Sequence, residues 1–127
     1  MGYPISIKGV LLVDGKVALV RNARNEWELP GGRIDLGESP EQTLEREFSE
    51  ELSVKVRAAG IIDSYMFEVV PSEHVFIVTY GCHLIGNFTP VLSHEHTEFS
   101  LHALGDLTRI PLPAGYARSI NSWSERA

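Results

Sequence analysis

The stretch from Gly31 to Leu52, GGRIDLGESPEQTLEREFSEEL, constrains this chain more than any other, because it reads as a glycine loop running straight into a capped acidic helix. Ser39 suits the N-cap, and Gln42, three residues on, completes a capping box. Pro40 takes the first helical position, where a missing N–H costs nothing. Glu41 adds negative charge to the first turn, where the helix dipole favours it. Leu44, Phe48 and Leu52 then recur at four-residue spacing and form a narrow apolar stripe. At about 100° per residue, Glu51 lies beside that stripe, Glu47 comes next around the helix and Glu50 beyond it. The spacing therefore predicts a helix that fans three carboxylates from the edge of its buried face.

Clustered carboxylates repel one another and raise each other's pKa unless something positive sits among them. Hard divalent cations such as Mg²⁺ take oxygen ligands and commonly bring phosphates with them. The stretch thus points to a metal site that works on phosphate. A solvated acidic flank accounts for Glu41 and Glu45. It does not account for carboxylates that hug the apolar stripe and follow a Gly-Gly loop.

The order Gly32, five residues, Glu38, seven residues, then Arg46-Glu47-Phe48-Ser49-Glu50-Glu51-Leu52-Ser53-Val54 resembles the Nudix box. That box is Gly, five residues, Glu, seven residues, then Arg-Glu-hydrophobic-any-Glu-Glu-any-Gly-hydrophobic. One position departs, where Ser53 stands for the last Gly. The preceding Trp27-Glu28-Leu29-Pro30-Gly31-Gly32 also resembles the usual approach to the box. A glycine just past a helix commonly takes a left-handed backbone. Serine there costs about 1 kcal/mol, unless the helix ends in another way, and the carboxylates upstream stay in place.

The resemblance implies a Nudix-type α/β/α sandwich, a central mixed sheet between helices, formed by residues 1–127 as a single domain. It implies hydrolysis of a diphosphate linked to another moiety, with Mg²⁺ or alternatively Mn²⁺. By the same resemblance Glu47, Glu50 and Glu51 match the metal-binding carboxylates, and the Gly31 carbonyl matches a frequent further ligand. Arg46 matches an arginine that orients those carboxylates, beside its ordinary use in an Arg46–Glu50 helix pair. Glu38 and Gly32 are expected to support the ligand geometry. The general base in many members is a loop glutamate well after the box, and in others a helix glutamate such as Glu47. Glu98, just before an expected strand at Phe99 to Leu101, is the choice here, with Glu95 as rival. His94 and His96 flank Glu95, but His-x-His without a cysteine partner is a weak zinc pattern among so many oxygen ligands.

The net charge of −6 excludes a basic track for a long nucleic acid, and the 11 Lys and Arg residues form no run. A small nucleotide-like substrate bridged by cations fits that balance, either a nucleoside triphosphate or a nucleoside diphosphate linked to a small group. Arg21, Arg24 and Arg33 are candidates to meet its phosphates. Trp27, Tyr65 and Phe67 could stack on a base, although core packing is the simpler use of each. The alternatives are a silent Nudix-fold nucleotide-binding or sensing module, and a dinucleoside polyphosphate or capped RNA pyrophosphohydrolase. A degenerate module would be expected to lose box carboxylates, and all are kept here.

At 127 residues the chain has the size of one domain, as a monomer or homodimer. No apolar run is long enough for a membrane span and no signal-peptide pattern opens the chain, so a cytoplasmic location is expected. The lone Cys82 fits a reducing compartment. Met1-Gly2-Tyr3-Pro4-Ile5-Ser6 meets the short N-myristoylation pattern only formally.

Elsewhere the pattern is mixed α/β. Ile5 to Val13 and Val17 to Val20 read as strands joined by the Asp14-Gly15 hairpin signal. Val54 to Phe67 reads as one or two strands, broken at Pro71-Ser72-Glu73, and Val75 to Leu84 as a central strand. Gly86-Asn87 turns the chain into a loop holding His94 to Glu98. A terminal helix is expected from Ala114 to Trp123.

Overall fold

Alternating apolar residues and left-handed turn residues build the first hairpin. Strand β1 (Ile5–Val13) turns at Asp14 and Gly15, whose φ angles are 52° and 77°, into β2 (Lys16–Arg21). Two positive φ values in succession match the twist of paired strands. Two short strands follow, β3 (Trp27–Glu28) and β4 (Gly31–Arg33), then helix α1 (Pro40–Leu52). β5 (Val56–Val70), β6 (Glu73–Leu84) and β7 (Glu98–Ala103) complete the sheet, and a 3-10 turn (Leu104–Arg109) leads to helix α2 (Ala114–Arg126). These elements come from a computed structural model that describes residues 2–96 and 98–126. Met1 of the myristoylation pattern, Thr97 of the His94 to Glu98 stretch and Ala127 lie outside the described residues.

The strand order is β3-β2-β1-β6-β5, with β4 pairing β1 and β7 pairing β2. β1 and β6 run parallel and the other pairs run antiparallel, so the sheet is mixed, as expected. Its α1 side is closed by Leu44, Phe48 and Leu52 against Ile7, Leu11, Ala18 and Val20. Its other side is closed by Tyr116 and Ile120 of α2 against Val10, Val17, Leu19 and Ile77. The result is helix, sheet, helix.

Three expectations are refined. The Val54 to Phe67 region is a single strand running to Val70, whose length is accommodated by register shifts after Ala58, Ile61 and Glu68. The break falls at Pro71 and Ser72, a tight hairpin with Ser72 at φ 71°, and Glu73 already opens β6. Glu98 is not on a loop, because it opens β7 and pairs in register with Arg21 of β2.

The capping box of α1 is present in full. The Gln42 N–H donates to Ser39 Oγ at 3.2 Å, and the Gln42 side chain accepts from the Ser39 N–H at 2.9 Å. The other end stops at Ser53, which takes the left-handed conformation at φ 56°, ψ 35°. Serine is strained there and glycine is not. Ser53→Gly should therefore raise stability by about 0.5–1 kcal/mol. A thermal melt would read this as a Tm increase of a few degrees with unchanged activity. A lower Tm would mean that the Ser53 side chain makes a compensating contact.

The C-terminal carbonyls of α1 also fix the loop after β6. The Val91 N–H donates to the Leu52 carbonyl and the Ser93 N–H to the Glu51 carbonyl, each at 2.8 Å. These bonds carry the chain past the end of α1 and bring Glu95 and His96 towards the acidic face.

Candidate metal and phosphate site

The Gly31-Gly32 strand and α1 face each other through groups that only glycine permits. Gly31 has φ 147°, and a side chain there would collide with the Ile7 carbonyl. A Cβ on Gly32 would stand 2.5 Å from the Glu47 carboxylate. Ladder bonds join Gly9 to Pro30 at 3.0 Å and Ile34 to Ile5 at 3.2 Å. Antiparallel pairing alternates, so Gly31 and Arg33 turn their peptide groups outward, towards α1. The Gly31 N–H accordingly donates to Glu51 Oε2 at 3.0 Å, and the Arg33 carbonyl accepts from Arg46 at 3.3 Å.

Glu51 is 3% exposed, yet it carries a carboxylate. Burial pushes its pKa up to about 7, against the opposing pull of Lys8, His96 and the Gly31 N–H. Glu47 is also shifted upward, first by burial, with the Glu50 and Glu95 charges adding and Arg46 resisting. Both shifts describe carboxylates held together at a cost that a bound cation would relieve.

Arg46 ties the group into one lattice. Its Nε and Nη2 donate to Glu38 at 2.7 and 3.0 Å, and its Nη1 donates to Glu47 at 2.8 Å and Glu50 at 3.1 Å. Asp35 lies 3.3 Å from Nη2. Glu38 also accepts from Thr43 Oγ1 at 2.8 Å and from the Asp35 N–H at 3.2 Å. The hydrogen bonds from Arg46 hold its carboxyl down at about 2. Arg46 therefore forms the Glu50 helix pair and orients Glu47 at once.

Three further residues reach this site that the sequence reading did not assign to it. Lys8, in the middle of β1, is 8% exposed. Burial alone would lower its pKa, but Tyr116 and the carboxylates of Glu28, Glu51 and Glu47 more than reverse this, so it stays charged. Burial would likewise raise Glu28; the bonds from His96 and Asn22 and the charge of Lys8 hold it at about 2. His96 is 8% exposed and places Nε2 at 3.1 Å from Glu28 Oε1 and Nδ1 at 3.9 Å from Glu51 Oε1. The available signals were a single lysine inside an otherwise apolar strand and a glutamate between Trp27 and Leu29.

Arg21 pairs with Glu98 at 3.4 Å and lies 4.7 Å over the Trp27 ring. Arg24 pairs with Glu26 at 3.3 Å. Arg33 is exposed and makes no ion pair among the described residues. Trp27 is buried and meets His102 edge-on at 4.6 Å, while Phe67 packs on Tyr116 at 5.9 Å. The Glu98 carboxylate pairs with Arg21 and its charge also reaches His102, whereas the charge of Glu95 is felt by Glu47.

The residues fit a hard divalent cation. Glu51 meets the outward peptide at Gly31, Glu47 closes on Gly32 and Glu50 joins Glu47 through Arg46, an oxygen set of the kind a hard cation takes. Among the described residues no three His, Cys, Asp or Glu side chains converge closely enough to hold a metal ion; Arg46 Nη1 holds Glu47 and Glu50 together instead. Gly32→Ala tests the fit. The flexible end of Glu47 can move aside, so Tm should change by no more than a few degrees while Mn²⁺ affinity falls about 10-fold or more. Unchanged Mn²⁺ binding in a calorimetric titration would refute the role given to this glycine.

A family model described as the NUDIX domain matches residues 3–123. The chain is 37% identical over 65 residues to the MutT-like protein of Streptomyces ambofaciens, covering 50% of this chain and 42% of that one. It is 44% identical over 41 residues to the 8-oxo-dGTP diphosphatase of Haemophilus influenzae, covering 32% of this chain and 30% of that one. The chain thus spans less than half the length of these curated relatives. The crystal structure of a MutT NUDIX hydrolase from Burkholderia pseudomallei matches with a TM-score of 0.83 over 96% of this chain and 98% of that one. At 23% identity that likeness is one of fold.

Proposed function

The chain belongs to the Nudix family, and from that premise we propose that it hydrolyses a phosphoanhydride bond in a small nucleoside phosphate with the help of Mg²⁺ or Mn²⁺. The observation that carries this reading is the buried Glu51 carboxylate, raised to about 7 beside Glu47 and bonded to Gly31. Strongly shifted carboxylates of this kind cluster at functional sites. The names of the relatives, a MutT-like protein and an 8-oxo-dGTP diphosphatase, support a nucleoside triphosphate as the first substrate to try.

Glu47, Glu50 and Glu51, with the Gly31 carbonyl, are the groups that would hold the cation. Once bound, it supplies neutralisation of the bridging phosphate oxygens and activation of a water. Arg46, anchored by Glu38, sets the direction of Glu47 and Glu50. Arg33, exposed and free of ion pairs among the described residues, is the arginine assigned to a phosphate in this reading. Arg21 and Arg24 would first have to leave Glu98 and Glu26. Glu95 takes the role of base in this reading, accepting a proton from the attacking water at a carboxylate oxygen. What favours it over Glu98 is its influence on Glu47, while Glu98 is paired to Arg21 across β2 and β7. Glu95→Gln should then lower kcat about 10²-fold or more with little change in KM, and Glu98→Gln should have a small effect. The reverse ranking in steady-state kinetics would return the base to Glu98.

Assaying nucleoside triphosphates including 8-oxo-dGTP, ADP-ribose, a dinucleoside polyphosphate and capped RNA for phosphate or pyrophosphate release tests the reading. Release should require metal and favour a small nucleotide. No turnover with either metal would favour a binding module, and tight RNA binding in chelator with a steep salt slope would favour decapping. Among the described residues no helix is long and apolar enough to cross a membrane. A cytoplasmic, single-domain protein is part of the same proposal, and the buried free thiol of Cys82 is compatible with it.

A further inference from the structure

His96 belongs to none of the box positions, yet its ring lies between the base of the loop and the most buried carboxylate of the site. Its environment is specified on both sides. On one side Nε2 meets Glu28 Oε1 at 3.1 Å, and Glu28 Oε2 is fixed in turn by Asn22 Nδ2 at 3.1 Å. On the other side Nδ1 is buried and has no hydrogen-bond partner among the described residues. That atom faces Glu51 Oε1 at 3.9 Å, which is too long for a hydrogen bond. The backbone bonds of Val91 and Ser93 to the end of α1 hold the loop in this position.

A buried ring nitrogen without a partner is costly, and this one is aimed at a carboxylate assigned to the cation. We propose that Nδ1 of His96 is a nitrogen ligand to the divalent cation that Glu51 holds. The Glu28–His96 pair then matches the arrangement in which a metal-bound imidazole donates its other N–H to a carboxylate, which fixes both tautomer and ring orientation. Two donors each about 2.1 Å from one ion stand about 3.0 Å apart at adjacent positions and about 4.2 Å apart across it, so from 3.9 Å a shift of a few tenths of an ångström lets the ring and the carboxylate share an ion from opposite sides. Glu28 is thereby a positioning residue, acting through the ring.

A nitrogen donor among oxygens shifts the choice of metal. Imidazole suits Fe²⁺, Ni²⁺ and Zn²⁺, whereas Mg²⁺ and Mn²⁺ take oxygen ligands by preference. The site should therefore bind Ni²⁺ or Zn²⁺ more tightly than an all-oxygen set would, and Mn²⁺ serves as the spectroscopic probe. This inference rests on the cation-dependent reading above, and the test separates the two.

Mn²⁺-loaded protein is examined by electron spin-echo envelope modulation, which detects a directly bound ¹⁴N without any assay of turnover. The wild-type protein should show ¹⁴N modulation. His94→Gln should keep it and His96→Gln should abolish it, with Mn²⁺ affinity about 10- to 100-fold weaker and Mg²⁺ affinity less affected. Glu28→Gln should keep the modulation with a weakened Mn²⁺ affinity. Mn²⁺ bound at the carboxylates with no ¹⁴N modulation would overturn the inference and leave the hydrolase reading standing; His96 would then be only a countercharge between Glu28 and Glu51. Absence of Mn²⁺ binding to the wild type would overturn both.

Discussion

Glu51→Gln is expected to lower kcat/KM by more than about a hundredfold, since changes to outer partners of a metal ligand already cost 10- to 100-fold. The fold should survive, because the amide oxygen can still accept from the Gly31 N–H. Stability should even improve in chelator, and the sign follows from linkage. The Glu51 pKa is raised from 4.5 to about 7 in the folded chain. The folded state therefore binds the proton more tightly than the unfolded one. This contribution is fully present below pH 4.5 and is lost as pH rises towards 7. Above pH 7 the ionised carboxylate burdens the metal-free protein by about 3 kcal/mol relative to acid pH. Gln removes that burden, so the metal-free variant should melt higher than wild type at pH 8 and gain nothing from added Mn²⁺. Wild-type turnover, or an undiminished gain in Tm with Mn²⁺, would remove Glu51 from the site.

Arg46→Lys should be nearly as damaging as Arg46→Ala, with activity about 10- to 100-fold below wild type in both. Arg46 serves Glu38 through two nitrogens while a third reaches Glu47 and Glu50. An ammonium carries the charge but cannot span those positions in one plane. Both variants should also weaken Mn²⁺ binding, although Arg46 itself is no ligand. The cause is that Glu47 and Glu50 lose their orientation. Recovery of activity by lysine would show that Arg46 supplies charge alone, and the geometric account would fail.

The local parts of the site were legible because their causes are local. Ser39, Pro40 and Gln42 start a helix by hydrogen bonds within one turn, and the structure shows those bonds. The four-residue spacing of Leu44, Phe48 and Leu52 fixed which face is buried, and with it where Glu51 and Glu47 emerge. Whether Ser53 would turn left-handed or the helix would end in another way stayed open in the sequence, and the structure shows the left-handed end. The mixed sheet between helices came through the resemblance carried by the box.

Short strands were harder to see. β3 and β4, at two and three residues, have too few side chains to show a period, and they exist only because β2 and β1 offer free edges. Glu98 was expected on a loop because its own sequence lacks a strand signal; its pairing with Arg21 is created by β2. Lys8, Glu28 and His96 stand far apart along the chain and make sense only together. Each is a charged or polar group whose burial would be unfavourable alone. The capped helix and the carboxylates it displays could be read from consecutive residues, since caps and i to i+4 contacts are local. Which distant charges oppose them depends on the folded chain, because the sheet register puts Lys8 opposite Gly31 and the loop docked on α1 carries His96 to Glu51.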